Sequence, residues 1–119
     1  MTKKLHTVND LLPCVPVRKM EWEVNEETGR VVILRPKFIH PLARKLFEPF
    51  FSSKYFKIKL DDLGTVVWQN CDGNTTVRRI GEILGETFGP DIEPIYERLG
   101  KFIFQLQREK FIELRCPAE

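Results

Sequence analysis

The chain is short of the residues that most chemistry needs. It has two histidines and three cysteines in 119 residues. His6 lies in the N-terminal stretch, and His40 precedes a proline with nothing beside it to mark a nucleophile. Cys14, Cys71 and Cys116 are odd in number and far apart, whereas a zinc site wants close pairs. The expectation is three free thiols in a reducing compartment, with no metal and no cofactor. Neither common spacing of a glycine-rich phosphate loop occurs, and no EF-hand carboxylates follow Asp72-Gly73. Adjacent Asp61 and Asp62 would point about 100° apart on a helix, so they form no acid–base pair. An enzyme is therefore not expected. Long apolar runs are missing too. Nothing approaches a membrane span, and MTKKLHTVNDLL has no apolar core behind its lysines, so the expected location is cytoplasmic, with no membrane partner. An excess of one charge is also lacking. Nineteen basic residues against 17 acidic ones leave +2, a weak attraction for nucleic acid or anionic membrane. No internal repeat or low-complexity segment is present.

What is there reads as one small globular domain, 42% hydrophobic and 30% charged. Nine Phe against two Tyr suggest a core built on large aromatics. Pro13 and Pro16 deny the first stretch a helix or inner strand, so residues 1–16 read as a flexible tail and 17–115 as the domain. Residues 17–24 alternate as a half-buried strand, and Asn25 to Gly29 form a turn. The β-branched run Val31 to Leu34 predicts a returning strand covered on both faces. Ile39, Leu42, Leu46 and Phe50 share a helical face that Ala43 and Phe47 widen, with Pro41 suited to the first position. This short helix is expected to close one end of the core; a partner-docking helix is the alternative. From Tyr55 to Leu60 the alternation returns, with Phe56, Ile58 and Leu60 inward and Tyr55, Lys57 and Lys59 outward, where lysines guard an edge.

The stretch from Leu60 to Phe88 predicts two helices joined by a tight turn. Leu60, Leu63, Val67, Trp68 and Cys71 line one face, so Trp68 should be buried. Asp61 suits an N-cap, Asp72-Gly73 a stop, and Thr75 or Thr76 the cap of the second helix. Gly81 and Gly85 lie inside that second helix. Each costs up to about 1 kcal/mol relative to Ala, which a close helix–helix approach could recover. A last helix, capped by Asp91 and with Pro94 in its first turn, runs from Ile92 to about Lys110, before a short extended piece. The expected class is α+β: a small three-stranded antiparallel sheet and a three-helix, winged-helix-like group, with an extra short helix between strands two and three.

Leu60-Asp61, Gly64, Val67-Trp68 and Asp72-Gly73, followed by Thr76-Val77 and Ile80, resemble the PqqD-like family, whose namesake is protein D of pyrroloquinoline quinone biosynthesis. The resemblance covers about half the chain well and the N-terminal strands loosely. It implies a non-catalytic module that binds the leader segment of a ribosomally made precursor peptide and presents it to a modifying enzyme, often a radical SAM enzyme. It also supplies the choice of edge: strand addition along Tyr55, Phe56, Lys57, Ile58 and Lys59. On the last helix Phe104 falls about 140° from Leu99, the centre of the buried face. Gly100, Phe104 and Gln107 are therefore candidates for a groove wall; the competing reading is a lone surface Phe104, or one covered by the N-terminal segment. A second function, a winged-helix nucleic-acid binder, would use Arg78 and Arg79, or Arg98, Lys101 and Arg108. Glu82, Glu86, Glu93, Glu97 and Glu109 interrupt those cations, which makes nucleic acid the weaker reading. A homodimer and a bare scaffold are left open.

Overall fold

The computed structural model describes residues 7–50 and 53–117; His6 and the first part of the expected tail lie outside them. The architecture is α+β, as the patterning predicts. In chain order the elements are α1 Val8–Leu11, β1 Val15–Arg18, β2 Glu21–Val24, β3 Val31–Pro36, α2 Pro41–Phe47, β4 Tyr55–Lys59, α3 Asp62–Gln69, α4 Val77–Phe88, α5 Ile95–Arg108 and β5 Ile112–Arg115. Short 3-10 turns follow α2 (Glu48–Phe50) and α4 (Gly89–Ile92). The elements divide into two compact units, one made of residues up to Lys19 with those from Asp62 on, the other of Met20–Asp61.

The first unit is helical, with a two-stranded sheet. Val67, Trp68, Cys71, Val77, Ile80, Leu84, Leu99 and Ile103 are fully buried, which bears out the expected inner faces of α3, α4 and α5. Thr76 caps α4, its hydroxyl accepting from the Arg79 amide at 3.1 Å. Gly73 has φ +81 in the turn before it, a conformation glycine adopts without strain. The glycines of α4 do serve a close approach. A Cβ at Gly81 would overlap the Tyr96 ring, and one at Gly85 would press on Ile95. The Tyr96 hydroxyl donates to the Arg78 carbonyl at 3.1 Å and fixes the ring there.

Four expectations need correction in this unit. The stretch read as a flexible tail is ordered from residue 7. α1 buries Leu11, Cys14 is fully covered, and the amides of Val77 and Arg78 donate to the carbonyls of Cys14 and Leu12 at 2.9 and 3.1 Å. Prolines there do not prevent a strand because β1 lies at the edge of a two-stranded sheet with β5, Pro16 opposite Leu114. The single strand expected over 17–24 is two: β1 pairs with β5, and β2 belongs to the other unit's sheet. The thiols are not all free. Cys14 and Cys116 are disulfide-bonded, with Cα atoms 4.1 Å apart, because β1–β5 pairing brings the two ends of a 102-residue separation together. Cys71 is free and buried, and burial pushes its thiol up to about 12. The last helix also begins later than expected: α5 starts at Ile95, its N-cap is Pro94, and Asp91 sits in the preceding 3-10 turn.

The second unit is an antiparallel sheet in the order β2-β3-β4, with α2 between β3 and β4. Val31, Val32 and Ile33 are buried, as their β-branched run predicts, and β3 is the central strand. Asn25 shapes the β2–β3 turn, its Oδ1 accepting from the amides of Glu27 and Thr28, and Gly29 has φ +73. His40 caps α2: its Nδ1 accepts from the Leu42 amide at 3.1 Å. α2 does not close the core. It buries no residue, which overturns that expectation.

Candidate functional site

β4 is an edge strand: among the described residues it pairs with β3 alone. Its hydrogen-bonding phase can be read from the ladder's two ends. The Leu60 amide donates to Val31 at 2.9 Å, and Lys54 accepts from the Lys37 amide at 2.9 Å. Antiparallel ladders alternate, so Phe56 and Ile58 also turn their peptide groups toward β3, at Arg35 and Ile33. Tyr55, Lys57 and Lys59 turn theirs to the open edge. At Tyr55 that edge is already closed. The Ser53 hydroxyl accepts from the Tyr55 amide at 3.2 Å and donates to its carbonyl at 3.1 Å. The receptive part of the edge is therefore Lys57 and Lys59.

Side chains across the sheet hold this strand in place. The Tyr55 hydroxyl donates to Glu21 at 3.1 Å, and that bond, with the carboxylate's charge, raises the phenol above its usual range. Lys57 pairs with Glu23 at 3.7 Å. On the opposite face Ile58 is half-buried, but Phe56, expected to point inward, is 55% exposed. The Lys37 ammonium lies 5.4 Å from the centre of its ring, a cation–π contact that a buried ring would not have received.

The three residues expected on the last helix differ in access. Gly100 is buried, and a Cβ there would stand 3.0 Å from Cβ and Cγ2 of Val8. The backbone it admits is this chain's own α1, so Gly100 is not free to receive a peptide. Phe104 is half-buried and lines a shallow hollow with Thr7, Val8, Glu97, Gly100 and Lys101. Gln107 is exposed. The N-terminal segment, weighed as a cover for Phe104, lies against Gly100 one turn earlier.

Sequence reasoning missed Ser53 and Val8. A Ser two residues ahead of a strand is a recognisable hydroxyl turn and could have flagged the first. Val8 carried no local signal. Of the residues proposed for nucleic acid, Arg79 bonds Glu82 and Glu86 at 3.2 and 3.3 Å, and Lys101 pairs with Glu97 at 3.7 Å. Their charge is met within their own helices.

Residues 40–112 match the family model described as coenzyme PQQ synthesis protein D (PqqD). The chain belongs to the PqqD family. No curated protein and no solved structure matches it. The family is one of non-catalytic accessory proteins in coenzyme PQQ synthesis. The matched region holds β4 and all of α2 to α5, so the whole of the candidate edge lies inside it. In this PqqD-family chain no group of three or more His, Cys, Asp or Glu side chains among the described residues could hold a metal ion, and no helix among them is long and apolar enough to cross a membrane.

Proposed function

We propose that this PqqD-family chain binds the leader segment of a ribosomally made precursor peptide by strand addition at β4 and presents it to a modifying enzyme of the radical SAM type. The supporting observation is the open edge at Lys57 and Lys59. Two residues offer two amides and two carbonyls facing out, enough to register a short extended peptide. Ser53 sets where that register stops, since it has already taken the groups of Tyr55. Phe56, Ile58 and the flanking Tyr55 are the strand's other proposed contacts. In the first unit, taken by itself, Phe104 and Gln107 are a separate proposed contact surface, while Gly100 is excluded by Val8. The recognition module is proposed to comprise 17–115 together with the ordered residues before it. A cytoplasmic location fits a peptide that is still being modified.

The test follows from the direction of the peptide groups. Proline removes the amide hydrogen. At Lys57 the lost donor faces the open edge, so the β3 ladder survives. Lys57→Pro should weaken binding of a synthetic precursor-leader peptide by about tenfold or more, the equivalent of one or two hydrogen bonds. Lys59→Pro should do the same. Unchanged affinity in both variants, with the sheet intact by circular dichroism, would remove strand addition at this edge.

A further inference from the structure

The second unit carries an apolar surface that peptide capture at β4 does not use. Ile39 is 83% exposed, Phe50 82%, and Leu42, Leu46 and Phe47 between 50% and 58%. Five exposed apolar residues within the twelve positions from Ile39 to Phe50, on α2 and to either side of it, are the kind of surface that on a monomer marks an interaction site. The helix also buries no residue. Within it only Ala43 is half-buried, and just past its end Glu48 is half-buried and held by Arg44 at 3.3 Å and Lys54 at 3.5 Å, while Leu46 and Phe47 are half exposed or more. His40 and Pro41 preform it, so no ordering cost remains to be met on binding.

Charge decides what fits. Residues 35–54 hold Arg35, Lys37, Arg44, Lys45 and Lys54 against Glu48 alone, a net +4 in a chain whose total is +2. The near-neutral balance of the whole sequence hides this concentration. Within α2, Leu42, Ala43, Leu46 and Phe47 cover an arc of about 140°, and Arg44 and Lys45 stand about 130° to either side of its centre at 100° per residue. An apolar stripe bracketed on both flanks by cations with long aliphatic stems matches a surface that is apolar within and anionic at its rim. A second copy would not match it, because a two-fold contact through this stripe brings the same cations together.

We propose that α2 and the turn after it form an interfacial anchor that lies on an anionic lipid surface, with Leu42, Leu46, Phe47 and Phe50 entering the acyl boundary and Lys45 reaching the phosphates. The inference does not depend on peptide capture, and its test uses no peptide. The full chain is sedimented with vesicles of phosphatidylglycerol and phosphatidylcholine, and with phosphatidylcholine alone. Binding to the anionic vesicles, weakened by salt and about tenfold lower on neutral ones, is expected. Leu46→Glu should lower the bound fraction at least tenfold without moving the melting temperature, because Leu46 is exposed. Phe50→Ser is the second variant should Leu46→Glu fail to fold. Absence of binding to anionic vesicles overturns the proposal, as does equal binding to both vesicle types. A concentration-dependent dimer that Leu46→Glu dissolves also overturns it and assigns the face to a second copy.

Discussion

The two units place their apolar residues in opposite ways. In the first, Leu11, Val67, Trp68, Val77, Ile80, Leu84, Leu99, Ile103, Leu106, Phe111 and Ile112 are all buried, and among the described residues no large apolar side chain there is exposed by more than a third of its surface. In the second, among the described residues, only Val31, Val32 and Ile33 are buried, while Val24, Ile39, Leu42, Leu46, Phe47, Phe50 and Phe56 face solvent. The first unit also has the disulfide, the glycine-mediated contact of α4 with α5, and Arg18, whose guanidinium donates to the carbonyls of Trp68 and Gln69 at 2.9 Å and closes the end of α3. The second unit keeps an open strand edge. Stability is thus concentrated in one unit, and unsatisfied surface, the raw material of recognition, in the other.

The contrast can be broken most directly at its extremes. Trp68 is fully buried, and among the described residues its Nε1 has no hydrogen-bond partner, so packing dominates its contribution. Trp68→Ala should cost about 3–5 kcal/mol, a large fraction of an ordinary domain's stability. Leu46→Ser in the second unit should change stability by no more than about 0.5 kcal/mol. Urea denaturation of both variants measures the difference. Comparable losses would mean that α2 is covered in solution and that the two units are not organised differently.

Much of the first unit was legible because its signals are local and periodic. The inner faces of α3, α4 and α5 follow from 3.6-residue spacing, and Thr76, Gly73 and the close approach at Gly81 follow from residue type and position. What escaped depends on contacts distant in sequence. α1 is four residues long and owes its place to Val8 against Gly100. The Cys14–Cys116 bond depends on β1 meeting β5. Alternation holds from Lys19 to Val24, but Val17 is out of its phase and Arg18-Lys19 is a polar pair, which is where the chain changes sheets; alternation carries no information about which sheet a strand joins. At the candidate site the strand and its edge lysines were legible. Phe56 was misplaced because period two gives a face but not whether that face is covered. The closure of Tyr55 by Ser53 needed the hydrogen-bond phase, which no sequence pattern supplies.

A smaller perturbation sharpens the contrast within the first unit. Gly81→Ala would ordinarily favour a helix by about 1 kcal/mol. Here the added methyl meets the Tyr96 ring, whose hydroxyl is held by Arg78, so the ring cannot simply turn away. A net loss of about 1–3 kcal/mol is expected, as for overpacking elsewhere. Tyr96→Ala made in the same background should recover part of it, and the double-mutant cycle reads the coupling. Additive effects would show that the helices do not approach closely at this point.

The smallest expected effects lie at opposite ends of the pH scale, one in each unit. In the first, the Asn74 amide donates to the Asp72 carboxylate at 2.9 Å, and the Thr75 hydroxyl adds a second bond at 3.2 Å. Both favour the ionised form and hold the carboxyl below its ordinary 3.8, the Asn74 bond most of all. Because the folded value is the lower one, this contribution is complete above the unfolded value and is lost as pH falls through the folded one. In the second unit the Tyr55 hydroxyl donates to Glu21, which raises the phenol above 10.0. That contribution is complete below the unfolded value and is lost as pH rises through the folded one. Acid should therefore loosen the turn before α4; alkali should release the Tyr55–Glu21 bond and leave the turn intact. Amide chemical shifts of Asn74 and Tyr55, followed from pH 2 to 11, separate the two. An Asn74 shift that tracks the alkaline transition, or a Tyr55 ring that titrates at or below its ordinary value, would show that these bonds are not formed in solution.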